Sequence, residues 1–227
     1  MLGATGAATA YGVDTDVDIA AAGEAVLAAE PDAFATRLET PLDDALLSEG
    51  FLNRPSGEIE NAEIIEQFTC AIGEIEGSVA TINHGFDTDP DVVTGLISAG
   101  IFTNIVTEDE ITADDLDNYE AGASEGLATG TPEAGSEATP MGLMPQGSVE
   151  RIDIGGAEAV VLTVGIEQGG ITILVQVVAV PVGNTMAIGT VLIADQDAVD
   201  QDEVRGFAEA LTLVGVEHIG TVAEGAQ

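Results

Sequence analysis

Two runs of alternating aspartate are the first candidates for chemistry. "FDTDPDVV", residues 86–93, places Asp87, Asp89 and Asp91 two apart, and "DTDVDI" does the same with Asp14, Asp16 and Asp18. Carboxylates at that spacing could open a calcium loop. Such a loop also needs a glycine at its sixth position for the sharp turn and a bidentate glutamate at its twelfth. Counted from Asp87, those positions hold Val92 and Ser98; counted from Asp14, they hold Ile19 and Ala25. Both runs fail in both places, and Pro90 stiffens the first between two of its acids. With 41 acids in 227 residues, alternating aspartate arises without selection for a ligand. The expectation is solvated acidic segments and no dedicated metal site. "DQDAVDQDE" (195–203) reads the same way, its aspartates suited to the start of a helix.

His84 and His218 are the only imidazoles. His84 stands close to Asp87 in sequence, so a metal-assisted hydrolase using His84 and nearby acids is the enzyme reading. One histidine without a cysteine cluster does not define a zinc site. "GASEG" (122–126) matches the G-x-S-x-G nucleophile pattern around Ser124, with His218 following in hydrolase order. That motif needs a strand, a sharp turn and then a helix, whereas "ADDLDNYEA" before it reads as helix. Cys70 is the only cysteine, so it forms no internal disulfide and is expected to be a small buried hydrophobe. There is no P-loop and no G-x-G-x-x-G after a strand. The sequence therefore assigns no catalytic residue, cofactor or metal ligand, and the chain is read as a non-enzyme.

Charge narrows the partners. The only cations besides histidine are Arg37, Arg54, Arg151 and Arg205, against 41 acids, for a net charge of −37. A surface of that sign repels nucleic acid and anionic lipid, whose recognition needs a basic footprint. It also repels itself in dilute buffer. At about 1 M salt the screening length falls to about 3 Å and the repulsion fades. The composition suits a salty medium, or an exported protein kept soluble by carboxylates.

The elements that would position these residues are uneven in clarity. Residues 1–17 are small and apolar, with "ATA" resembling a signal-peptidase site, and are expected to be a flexible terminus or a signal-peptide remnant. Residues 18–222 are expected to form one α+β domain with a loop or linker at 128–147. "DIAAAGEAVLAAE" (18–30) reads as a helix ended by Pro31. The 33–51 stretch reads as a short strand, then a turn or short helix. Ile64, Phe68, Ala71 or Ile72, and Ile75 have helical spacing. "GSVATINHGF" (77–86) and "GLISAGIFTNIVT" (95–107) read as strands. Thr112 with Asp115 three residues on is a helix start, and Leu116, Tyr119, Ala123 and Leu127 form its apolar stripe.

The C-terminal third is the clearest. Strands over 147–194 are cut by Gly155-Gly156, Gly169-Gly170 and Gly183-Asn184, a hairpin punctuation. Residues 159–194 carry a single charge, Glu167, and eight of the 12 residues in 171–182 are β-branched. Both features predict a sheet covered by something apolar. That segment, with Gln176 and Pro181 inside it, is too short to span a membrane. The cover predicted for the sheet is a helix over 200–215, with Val204, Phe207, Ala208 and Leu211 on one stripe, Asp200 or Asp202 at its start and Gly215 at its end.

The order of these elements over residues 77–215, with Gly156 to Ala159 matching a G-x-x-A before a strand, resembles the PsbP-like fold. That group includes extrinsic proteins of the photosynthetic oxygen-evolving complex and bacterial exported lipoproteins. The resemblance implies an antiparallel sheet packed by helices in an α/β/α sandwich, and an accessory or binding role without catalysis. It supplies no functional residue. The functional expectation is an exported binding or accessory module at the cell surface or outside the cell, with an unknown protein or small-molecule partner. A metal-assisted hydrolase and a structural cell-surface protein are the alternatives.

The charge balance alone makes one measurable statement. The thermal midpoint is expected to rise steadily from low to molar NaCl, as repulsion among the carboxylates is screened. A flat or falling midpoint in a salt series followed by circular dichroism would contradict it.

Overall fold

The computed structural model describes residues 17–40, 51–54, 75, 77–88, 97–129, 146–168, 171–194 and 201–226. In chain order these form α1 (Ile19–Ala28), α2 (Pro31–Leu38), β1 (Phe51–Arg54), β2 (Ser78–Thr88), β3 (Ile97–Thr107) and α3 (Ala113–Thr129). They continue with β4 (Gln146–Ile154), β5 (Ala157–Gln168), β6 (Ile171–Val182), β7 (Thr185–Ala194) and α4 (Gln201–Glu224). The strands make one seven-stranded sheet in the order β1-β2-β3-β7-β6-β5-β4, and every pairing is antiparallel. Two meanders, β1–β3 and β4–β7, are thus joined edge to edge where β3 pairs with β7.

The expected α+β class is what folds, and its layers are α/β/α. Because strand side chains alternate between faces, β6 sends Leu174, Val178 and Val180 to one face and Val175, Val177 and Ala179 to the other. The first face is covered by α1, α2 and α4, through Val26, Phe34, Leu38, Phe207 and Leu211. The second is covered by α3, through Leu116, Tyr119 and Ala123. Every residue from Leu174 to Val180 and from Asn184 to Ile193 is buried. This explains the near-continuous apolar text of those strands, which have no wet face to pattern.

Local chemistry sets the element ends. Asp18, third member of the first aspartate run, caps α1 by accepting from the Ala21 N–H at 3.0 Å. Thr112 and Asp115 close a reciprocal cap on α3: the Thr112 N–H donates to Asp115 Oδ2 at 2.8 Å, and the Thr112 hydroxyl donates to the same oxygen at 2.6 Å. These bonds hold the Asp115 carboxyl below its ordinary range. The β4–β5 turn uses Gly155 and Gly156 at φ +58° and +86°, a conformation open to glycine at little strain. Gly183 at φ +62° opens the β6–β7 turn, and a Cβ there would lie 2.7 Å from the Gly23 carbonyl of α1. Asn184 then ties this turn to the end of β3, its Nδ2 donating to the Thr107 carbonyl at 2.8 Å.

Three expectations need correction or adjustment. The strand expected after residue 33 is helix instead: Pro31 sits in the first turn of α2, where it has no N–H to lose, and Glu30 caps it by accepting from Ala33. Gly215 does not end the last helix, which runs on to Glu224. Its role is close approach, since a Cβ there would fall 1.9 Å from the Phe102 ring. The strands over 159–194, expected to form the centre of one antiparallel sheet, do so only in part: the central strand is β7, flanked by β6 and by β3 from the N-terminal half, while β5 lies next to the edge. The helix expected over 61–75 lies outside the described residues, except for Ile75, and the 128–147 loop lies almost wholly outside them.

Gly215→Ala is therefore expected to destabilise the protein by about 1–3 kcal/mol or more through overpacking. Phe102→Leu in the same chain should recover part of that loss, giving a non-zero coupling in a double-mutant cycle. Phe207→Ala, which empties a buried ring site, is expected to cost about 3–5 kcal/mol. Denaturant unfolding at constant high salt measures all three.

Candidate functional site

The fold brings the chain's two histidines together. His84 lies on β2, opposite Phe102 of β3, on the face covered by α1, α2 and α4. His218 lies on α4, one turn beyond the Gly215 that rests against the Phe102 ring. The imidazole centroids are 5.4 Å apart and the ring planes are inclined at 79°. His218 is buried, at 5% exposure, and His84 is half-buried. The end of α2 closes over the pair.

Electrostatics keeps both rings neutral near pH 7. Burial lowers the His84 pKa, and hydrogen bonding to the backbone of Leu38 partly opposes it. Burial, then the neighbouring His84, pulls His218 down to about 4, against hydrogen bonds to the backbone of Leu38 and Thr40. Nε2 of both rings is buried and has no hydrogen-bond partner. Asn104 stands on the same face of β3, paired with Ile82 and diagonal to His84. It is fully buried, and neither its Oδ1 nor its Nδ2 has a partner. His84 and Asn104 thus stand on one face of the sheet and His218 on the helix packed against that face, each with a buried polar atom that has no partner, where most such atoms find one.

The remaining sequence candidates do not join them. Ser124 is exposed within α3, which runs unbroken through "GASEG", so the strand–turn–helix of a nucleophile elbow is not present there. Asp18 is committed to its cap. Asp14, Asp16, Asp89, Asp91 and Cys70 lie outside the described residues, as does the side chain of Asp87. Among the described residues no three His, Cys, Asp or Glu side chains gather as metal ligands. A groove of about 270 Å³ between α1 and α4 carries Asp18, Glu217 and Glu224 at its rim. Asn104 was not singled out by sequence reasoning. The available signal was an amide inside "IFTNIVT", an apolar strand with no polar face.

Three of the four arginines, Arg37, Arg151 and Arg205, make contacts within the fold. Arg37 of α2 donates to the Gly225 carbonyl just past the end of α4. Arg151 of β4 pairs with Asp117 and, at 2.8 Å, with Glu120, both on α3; Glu158 lies 3.6 Å away. Arg205 of α4 pairs with Glu150 of β4 at 2.9 Å and with Glu209 at 3.0 Å. Among the described residues no helix is long and apolar enough to cross a membrane. No family model, no curated protein and no solved structure matches this chain.

A neutral buried histidine pair has a pH signature. The unfolded state binds protons below about pH 6.5, while the folded pair resists them until lower pH. Stability is therefore expected to fall as pH drops from 6.5 towards the His218 value of about 4, by about 3 kcal/mol for that ring alone. The difference in unfolding free energy between wild type and His218→Gln, measured between pH 7 and 5 in molar salt, isolates this contribution from the carboxylates. A pH-independent difference would contradict it.

Proposed function

We propose that this protein is an exported, non-catalytic binding or accessory module built for a salty medium. The observation that carries the reading is the placement of its cations. Arg37, Arg151 and Arg205 each bridge two elements of the fold, so the described surface offers carboxylate outward and keeps its guanidinium groups for internal contacts. Such a surface favours cationic or neutral partners over polyanions. The α/β/α layering is also what the PsbP-like resemblance implies, and that resemblance carries an accessory role with it. The paired histidines give the metal-assisted hydrolase reading its one specific support, now through His84 and His218.

Fractionation of the source cells in native salt, followed by immunodetection, tests the location. The protein is expected in the medium or surface fraction, and a cytosolic location overturns that part of the reading. Ester and phosphoester hydrolysis should stay at background, with and without added zinc. Turnover that His84→Gln abolishes would favour the hydrolase instead.

A further inference from the structure

We propose that α2 is an acid-released strap: the imidazoles of His84 and His218 fasten its end to the sheet and to α4 in neutral solution, and protonation of the pair lets it lift away. This goes beyond the module reading and stands whether or not the protein is exported.

The fastening is polar and concentrated at one end. Both rings hydrogen-bond to the backbone of Leu38, and His218 also to that of Thr40. The two rings come from β2 and α4, so the last turn of α2 is tied at once to the sheet and to the final helix. Arg37 adds one more tie, to the Gly225 carbonyl. Beyond these ties, α2 buries only Phe34 and Leu38. By contrast, β2 is hydrogen-bonded between β1 and β3, and α4 buries an apolar face that runs from Val204 to Ala223. Of the elements around the pair, α2 is therefore the one that moves with the least loss of burial.

A charged pair does not fit the closed arrangement. An imidazolium donates from both ring nitrogens, and Nε2 of each ring is buried without an acceptor among the described residues. Two such charges, with ring centroids 5.4 Å apart, would also repel across a site shielded from water. The groups around the rings do not counter this. On β3 the neighbours are Phe102 and Asn104, neither of which titrates. The charged residues beside the contacts on α2 and α4 are Arg37, Glu39 and Glu217, all exposed. Arg54 of β1 and Asp87 of β2 hold register positions of the opposite sheet face. The bonds to the Leu38 and Thr40 backbone favour a charged ring, but burial outweighs them at both histidines. Lifting α2 admits water to both rings. The open form then takes up protons at the ordinary histidine value, and acid favours it.

Hydrogen exchange read by mass spectrometry at pH 7 and pH 5, in about 2 M KCl to screen the surface carboxylates, follows the strap directly. His218 passes from about 4 in the closed form to about 6.5 in the open one, so the opening equilibrium of residues 34–40 should rise about 20-fold between the two pH values, after correction for intrinsic exchange rates. The denaturant slope of that exchange should be shallow, while β6 and β7 should exchange far more slowly and with a steep slope. In His84→Gln/His218→Gln the rise should disappear. The proposal is overturned if residues 34–40 exchange with the rate and slope of β6 and β7 at pH 5, if the wild type shows no rise, or if the rise survives in the double variant. If that variant fails to fold by circular dichroism, the wild-type rise and slopes decide alone.

Discussion

The constraint on which the rest of the structure depends is burial of the sheet on both faces. A strand such as β6, apolar at every position from Val177 to Val180, cannot face water on either side. Two helical layers are therefore required, one drawn from the middle of the chain and the other from its two ends. α3, from the middle of the chain, covers one face, while α1 and α2 from one end and α4 from the other cover the opposite face. Small residues set how closely these layers approach. Gly23 meets Gly183 where α1 crosses the β6–β7 turn, and Gly215 admits the Phe102 ring under α4.

In a chain with so few cations, Arg37, Arg151 and Arg205 each act on more than one element. Strand β4 shows how. Alternation along the strand sends Glu150 towards α4 and Arg151 towards α3, so one edge strand is fastened to both helical layers by opposite charges. Surface ion pairs contribute little individually, and these are screened in salt like any others. Their geometric effect persists, since Arg151 joins β4 to α3 and Arg205 joins α4 to β4, segments remote in sequence. Edge strands invite unwanted pairing, and a β4 clasped on both sides and bearing Glu150 and Asp153 is a poor template for another chain.

What could be read from the sequence followed the strength of local signals. The cap at Thr112, the stripe of α3 and the glycine turns at 155–156 and 183–184 depend on near neighbours, and the structure has all of them. Pro31 reads as the end of one helix, yet proline also starts the next, and the Glu30 cap marks that start. Gly215 looked like a stop because close approach to Phe102 is invisible without tertiary contacts. The candidate site was legible only as an inventory of rare residues. His84 and His218 belong to elements far apart in the chain, and no spacing rule relates them. Asn104 was hidden by its apolar neighbours, although an amide in a strand buried on both faces is itself a sign of an unusual environment.

The joint between β3 and β7 has a consequence for the order of events during synthesis. β3 emerges early, yet the strand that pairs with its inner side is the last one made, with Val106 meeting Thr185. Until β7 appears, the two meanders are separate pieces with open edges, and the face later covered by α4 remains bare. Contacts this distant in sequence slow folding, because the loop must close before the pairing is rewarded. The nascent chain thus carries exposed apolar strands until nearly its full length is available. A dense negative charge on every such intermediate is then of use before the native state exists, since it keeps unfinished chains apart.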